Sequence, residues 1–124
     1  MLDFQNMFNE LFELEDPMDK YEWIMEYGAI AKPVFTVAKS DANLVQGCTS
    51  NLWIEKIEDK IYCYGESLIV QGIASMICDW YNQASQRQQM DFSLNTLTNI
   101  GLAPLLSMGR QNGVANLIAK IKTL

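Results

Sequence analysis

Two short segments, Leu52 to Ile57 and Ile61 to Tyr64, break the helical periodicity that runs through the rest of the chain. Both are rich in aromatic and β-branched residues, and Glu58-Asp59-Lys60 lies between them, so they read as paired strands joined by a hairpin turn. A short extended piece around Leu44-Val45 is placed to add a third strand. Helical patterns precede and follow this region. The order is therefore helices, a small antiparallel sheet of about three strands, then helices, which is an α+β layout. With 124 residues and no internal repeat, the chain makes a single domain over 1–124.

The helices are marked by their caps and apolar spacing. Asp3 opens a first helix over 3–13, with Phe4, Met7, Phe8 and Leu11 on one face. Asp16-Pro17 starts a second, which Met18, Tyr21, Ile24 and Met25 carry to a stop at Gly28. Residues 31–43, with Pro33, Ser40, Asp41 and Asn43, read as a connection. Ser67 caps a long helix to about Gln83, with Ile69, Val70, Ile73, Met76, Ile77 and Trp80 inward and Cys78 toward the edge of that face. Gln-rich residues 84–91 read as a turn, and 91–99 as a short helix stopped by Gly101. A final helix begins near Gly109, with Val114, Leu117, Ile118 and Ile121 on one side. Lys120 and Lys122 sit in its last turn, where cations favour the helix dipole.

Charge narrows the partners. Fifteen acids against nine bases give a net charge of -6, which argues against nucleic acid and anionic membrane surfaces, since both demand clustered Lys and Arg. No apolar run approaches the roughly 18 residues of a membrane span, and the acidic N-terminal stretch lacks the basic region of a signal peptide, so a cytoplasmic protein is expected. Asp3, Glu10, Glu13, Glu15, Asp16, Asp19, Glu22 and Glu26 crowd the first 26 residues, with Lys20 the lone base. This reads as a solvated helical face, or alternatively as a docking face for a basic partner.

The functional signal is Leu44-Val45-Gln46-Gly47-Cys48-Thr49-Ser50-Asn51-Leu52-Trp53. A structural cysteine normally has apolar neighbours. Cys48 instead sits among Gly47, Thr49, Ser50 and Asn51, residues suited to a bending, hydrogen-bonding loop. Cys63, inside Ile61-Tyr62-Cys63-Tyr64, reads as a packed core thiol, and nothing marks Cys78 as reactive. Three cysteines without a signal peptide fit free thiols better than disulfides. The chain has no histidine, which removes Cys-His nucleophile pairs and most mixed zinc sites. The cysteines lie 15 residues apart with no C-x-x-C hook, a weak metal pattern. Sulfur transfer fits what is present, because a thiolate attacking sulfur needs accessibility and a controlled pKa but neither metal nor organic cofactor.

These residues resemble the SufE family of sulfur acceptors, which activate cysteine desulfurases for iron–sulfur cluster assembly. The resemblance runs through FELEDPMDKYEWIMEYG, LVQGCTSNLW, ESLIVQGIASMI and NIGLAPLLSMGRQNGVANLIAKI. It implies a SufE/IscU-like fold in which Cys48 accepts sulfane sulfur as a persulfide. The donor would be a pyridoxal-phosphate-dependent, SufS-like cysteine desulfurase, and the receiver a SufBCD-like cluster scaffold. The family's loop cysteine rests in a partly sheltered apolar cavity and swings out on docking. By motif position the acidic residue before the long helix is Glu66 and the arginine of the late motif is Arg110. The resemblance implies no cofactor and no metal on this chain; the pyridoxal phosphate belongs to the partner. Met108-Gly109 precedes Arg110 where the family usually has proline and a hydroxyl residue. Arg110 is expected to favour the Cys48 thiolate or persulfide anion, and Glu66 to pair with Arg110 or hold the loop backbone. Because IscU-type scaffolds share this fold, a cluster scaffold or zinc-binding protein using the cysteines is the alternative. A plain interaction module with three structural cysteines is a third reading.

Overall fold

The computed structural model describes residues 3–30, 37–102 and 105–124. The expected connection over 31–43 thus lies outside the described residues from 31 to 36, as do positions 103 and 104 of the late motif. The described residues form seven helices and one two-stranded antiparallel sheet.

The N-terminal helical pattern is realised as two pieces, α1 (Phe4–Met7) and α2 (Asn9–Glu13), where the sequence predicts one helix. Asp3 caps α1, its carboxylate accepting from the Gln5 backbone N–H at 2.9 Å. The backbone leaves the helical region at Phe8, with φ -114° and ψ 39°. There the buried Phe8 ring meets Tyr27 edge-on at 5.4 Å and Trp23 at 6.4 Å. Aromatic packing overrides local helix preference at this residue.

Asp16-Pro17 starts α3 (Pro17–Ile30) as expected, the Asp16 carboxylate accepting from the Met18 N–H at 2.8 Å. Gly28 is not its stop. The helix continues two residues further, and Gly28 is buried against the next long helix. A Cβ on Gly28 would stand 2.6 Å from the backbone nitrogen of Gly72. The glycine is there for close helix packing rather than for termination. The eight N-terminal acids are all exposed, as both a solvated face and a docking face require.

The hairpin pairs β1 (Leu52–Ile57) with β2 (Lys60–Gly65), from Leu52 opposite Gly65 to Ile57 opposite Lys60. Its turn residues Glu58 and Asp59 have φ of 50° and 68°, the two left-handed residues that a tight I′-type hairpin turn requires. The third strand does not form. Leu44 makes a single bridge to Trp53, with Val45 N–H donating to Leu52 and Ile54 N–H donating to Asn43, before the chain turns into the cysteine loop.

Ser67 caps α4 (Leu68–Gln83), accepting from the Val70 N–H at 3.5 Å. This helix is the centre of the molecule, covered by α3 on one side and β2 on the other. Cys78, expected at an edge, is therefore only 2% exposed. Gln71 and Ser75 are buried with it, and their polar groups are satisfied internally. Gln71 accepts from the Gly65 N–H at 2.5 Å and donates to Ser75 Oγ at 3.1 Å. Ser75 Oγ in turn lies 3.7 Å from Cys63 Sγ.

Residues 84–91, expected as a turn, contain the short helix α5 (Gln86–Asp91). Ser85 and Gln88 form a reciprocal capping box, enough to organise a polar stretch with little apolar content. α6 (Leu94–Asn99) begins after Ser93, three residues later than expected, because Asp91 ends α5. Gly101, at φ +85°, follows it. α7 (Met108–Ile121) starts from Ser107, whose hydroxyl accepts from the Arg110 N–H at 3.4 Å. Lys120 falls in its last turn, while Lys122 is the C-cap residue.

Candidate functional site: the Cys48 loop and its cavity

Of the three cysteines, Cys63 and Cys78 are buried and Cys48 is half-buried. A hydrogen bond with Cys63, followed by burial in the core, holds the Cys78 thiol well above its ordinary range, which leaves it inert. Cys48 is thus the thiol that a reagent or partner can reach.

The loop carrying Cys48 is anchored at both ends. On one side Leu44 and Val45 are tied to β1, and on the other the Glu66 N–H donates to Asn51 at 3.0 Å. Between them Gly47 takes φ +82°, a left-handed conformation that glycine adopts without strain. The turn directs Cys48 toward an apolar cavity between α4 and α7. Leu52, Ile73, Ala74, Leu106, Val114 and Leu117 line it, joined by Cys48, Thr49 and Arg110. The cavity's free volume is about 20 Å³, room for a single atom the size of a water molecule.

Helix α7 forms the wall nearest the sulfur. A Cβ on Gly113 would lie 2.8 Å from Cys48 Sγ, and one on Gly109 would lie 2.8 Å from the Thr49 methyl. One turn beyond Gly113, Asn116 Nδ2 donates to the Gln46 carbonyl at 2.8 Å, and Lys120 Nζ donates to the Ala42 carbonyl at 2.7 Å. The sequence places Lys120 where it favours the helix dipole; its head group also ties down the start of the loop. Asn116 escaped the sequence reading altogether. The spacing 109, 113, 116 and 120 places four residues in one row of a helix, but nothing local marks what that row meets.

The two supporting residues fall differently. Arg110 lines the same cavity as Cys48. Glu66 is exposed between β2 and α4, and its structural tie to the loop region is the backbone N–H on Asn51. Among the described residues, the Glu66 carboxylate neither pairs with Arg110 nor accepts an N–H from the loop. Burial raises the Cys48 thiol above its ordinary value of 9.0. In this conformation desolvation governs the thiol, and the structure gives no lowering from Arg110.

Among the described residues no group of three or more Cys, Asp or Glu converges. Cys63 and Cys78 lie together in the core, whereas Cys48 faces its own cavity under α7. No described helix is long and apolar enough to cross a membrane.

A half-buried loop thiol beside an apolar cavity, in a small α+β domain, is the feature that sets this site apart. The chain belongs to the SufE family, whose profile, described as an Fe-S metabolism associated domain, matches residues 5–124. It is 27% identical over 123 residues to the cysteine desulfuration protein SufE of Wigglesworthia glossinidia brevipalpis, covering 94% of this chain and 85% of that one. An uncharacterized SufE-like protein of Rhizobium meliloti is 28% identical over 133 residues, covering 99% and 94%. The SufE-like protein 1 of Arabidopsis thaliana, named as chloroplastic and mitochondrial, is 26% identical over 115 residues, covering 88% of this chain but 31% of that longer protein.

Proposed function

We propose that Cys48 carries sulfur as a persulfide between a cysteine desulfurase and a cluster-assembling acceptor. The observation that carries this reading is the single reachable thiol at an apolar cavity, with the other two thiols locked in the core. In the transfer, the Cys48 thiolate attacks the terminal sulfur of the desulfurase persulfide. A new S–S bond forms on Cys48, the old one breaks, and the desulfurase thiolate leaves, so the exchange is redox-neutral. The apolar cavity suits the loaded state, since an extra sulfur atom can rest there away from water and soluble reductants. SufE-family membership and the desulfuration role named for the Wigglesworthia relative support the same chemistry.

Under this reading the partner is a pyridoxal-phosphate-dependent, SufS-like desulfurase, the carrier stimulates it, and the receiver is a SufBCD-like scaffold. Free thiols fit a reducing compartment, and the cytoplasm is the site we assign. Arg110 acts on the anion once the loop has moved, because in the resting arrangement it leaves the thiol unassisted. Glu66 serves at the loop's edge, close to the Asn51 tie.

The test is intact mass and peptide mapping after incubation with a cysteine desulfurase and free cysteine. A gain of one sulfur on Cys48, absent in Cys48→Ser, is expected. Arg110→Ala should stay folded yet take up sulfur more slowly. No gain with any of several desulfurases, together with stoichiometric zinc in the purified protein, would shift the reading to the scaffold alternative.

A further inference from the structure

We infer that Asn116 is a positioning residue: its side-chain amide latches the Cys48 loop against α7 and so sets how often the thiol is available. The inference rests on the sulfur-carrier reading and adds to it the residue that controls access.

Four α7 residues at helical spacing meet the loop in reverse order. Gly109 faces Thr49, Gly113 faces Cys48, Asn116 bonds Gln46, and Lys120 bonds Ala42. The two glycines permit close approach but supply no attraction of their own. Lys120 acts on Ala42, upstream of the pairing that already fixes Leu44 and Val45 to β1. The segment between the Val45 and Asn51 anchors is 46–50. Among the described residues, the Asn116 bond is the one side-chain hydrogen bond made to it.

The resting position also carries a cost. Ser50 Oγ is buried there without a protein partner, and a buried unpaired hydroxyl opposes the state that buries it. The Cys48 thiol is desolvated in the same state. Cavity contacts and the Asn116 bond stand against these costs, so a single hydrogen bond weighs heavily in the balance. Gly47 sits directly beneath the Asn116 amide at φ +82°, which places the latch at the one loop residue with free backbone rotation.

The test measures iodoacetamide labelling of each cysteine in the isolated protein, with Asn116→Asp and Asn116→Ala compared to wild type. Asn116→Asp preserves size but turns a carboxylate oxygen toward the Gln46 carbonyl. Labelling of Cys48 is expected to rise about fivefold to tenfold in both variants, the factor one net hydrogen bond supports. Cys63 and Cys78 should stay unlabelled, and their protection reports an intact core. In assays with a desulfurase, the half-saturating concentration of the carrier should fall by a similar factor while the maximal rate holds, as expected when a scarce competent state becomes common. Unchanged Cys48 labelling in either folded variant overturns the latch, and so does parallel labelling of all three cysteines. The labelling needs no desulfurase, so its failure is separate from a failure of wild-type sulfur uptake, which would strike the carrier reading itself.

Discussion

Gly113 and Cys48 are in contact across the cavity: a Cβ on Gly113 would stand 2.8 Å from the sulfur and 3.4 Å from the Cys48 Cα. Alanine at 113 therefore has two opposed effects. Its higher helix propensity favours α7 by about 1 kcal/mol, while the clash is relieved by pushing the loop outward. The expected result for Gly113→Ala is nearly unchanged thermal stability with markedly faster Cys48 alkylation. A variant whose thiol reacts at the wild-type rate would mean that the helix yields instead of the loop.

The raised Cys48 thiol predicts a specific pH profile. With burial pushing it above its ordinary 9.0, the thiol stays protonated at neutral pH. Labelling of the isolated protein should climb through pH 9 without levelling off near neutrality. Because the folded pKa lies above the unfolded one, the protonated thiol's contribution to stability is complete at neutral pH and is lost as pH rises through the folded value. Desulfurase-dependent uptake should show a lower apparent pKa, since docking removes the desolvation that raises it. Coincident profiles with and without the partner would show that no loop movement accompanies transfer.

The sequence shows these parts unevenly, for physical reasons. The accessibility of Cys48 is legible because a thiol among glycine and hydroxyl residues breaks the usual burial pattern. Ser67, Asp16 and Asp3 were legible because capping is local. What escaped depends on distant partners. Gly28 has the look of a helix stop, and only the presence of Gly72 against it makes it a packing residue. Cys78 lies on an edge in a helical projection, but α4 is covered on both sides, so its edge is interior. Asn116 bonds a carbonyl 70 residues away, and no local spacing announces which carbonyl a helical asparagine will find.

Tyr27 on α3 donates to the Asp79 carboxylate on α4. Burial raises Asp79 above its ordinary 3.8, and the Tyr27 bond partly offsets that rise. The native state therefore holds this proton to higher pH than the unfolded chain does. This group's contribution to stability is complete below pH 3.8 and falls as pH rises through the folded value. Asp79→Asn should remove that part of the slope, so its stability relative to wild type improves as pH rises from 4 toward neutrality. Tyr27→Phe should extend the slope to higher pH, because it deletes the bond that favours the ionised form. Urea denaturation at several pH values separates the two; parallel curves for wild type and Asp79→Asn would remove Asp79 from the account.

The hairpin turn is built from residues ill suited to it. Glu58 and Asp59 both take left-handed backbone conformations at φ 50° and 68°. A non-glycine residue there costs about 1 kcal/mol, less for asparagine and aspartate than for glutamate. The register from Leu52–Gly65 to Ile57–Lys60 leaves two residues for the turn, a length for which Asn-Gly is the favoured pair. Glu58→Asn combined with Asp59→Gly should therefore raise the urea midpoint, by a stability gain of about 1 kcal/mol with the denaturant slope unchanged. The substitution lies at the far end of the hairpin from Cys48, so labelling of that thiol should not change. A lower midpoint would show that the side chains of Glu58 and Asp59 stabilise the turn more than their backbone conformation disfavours it.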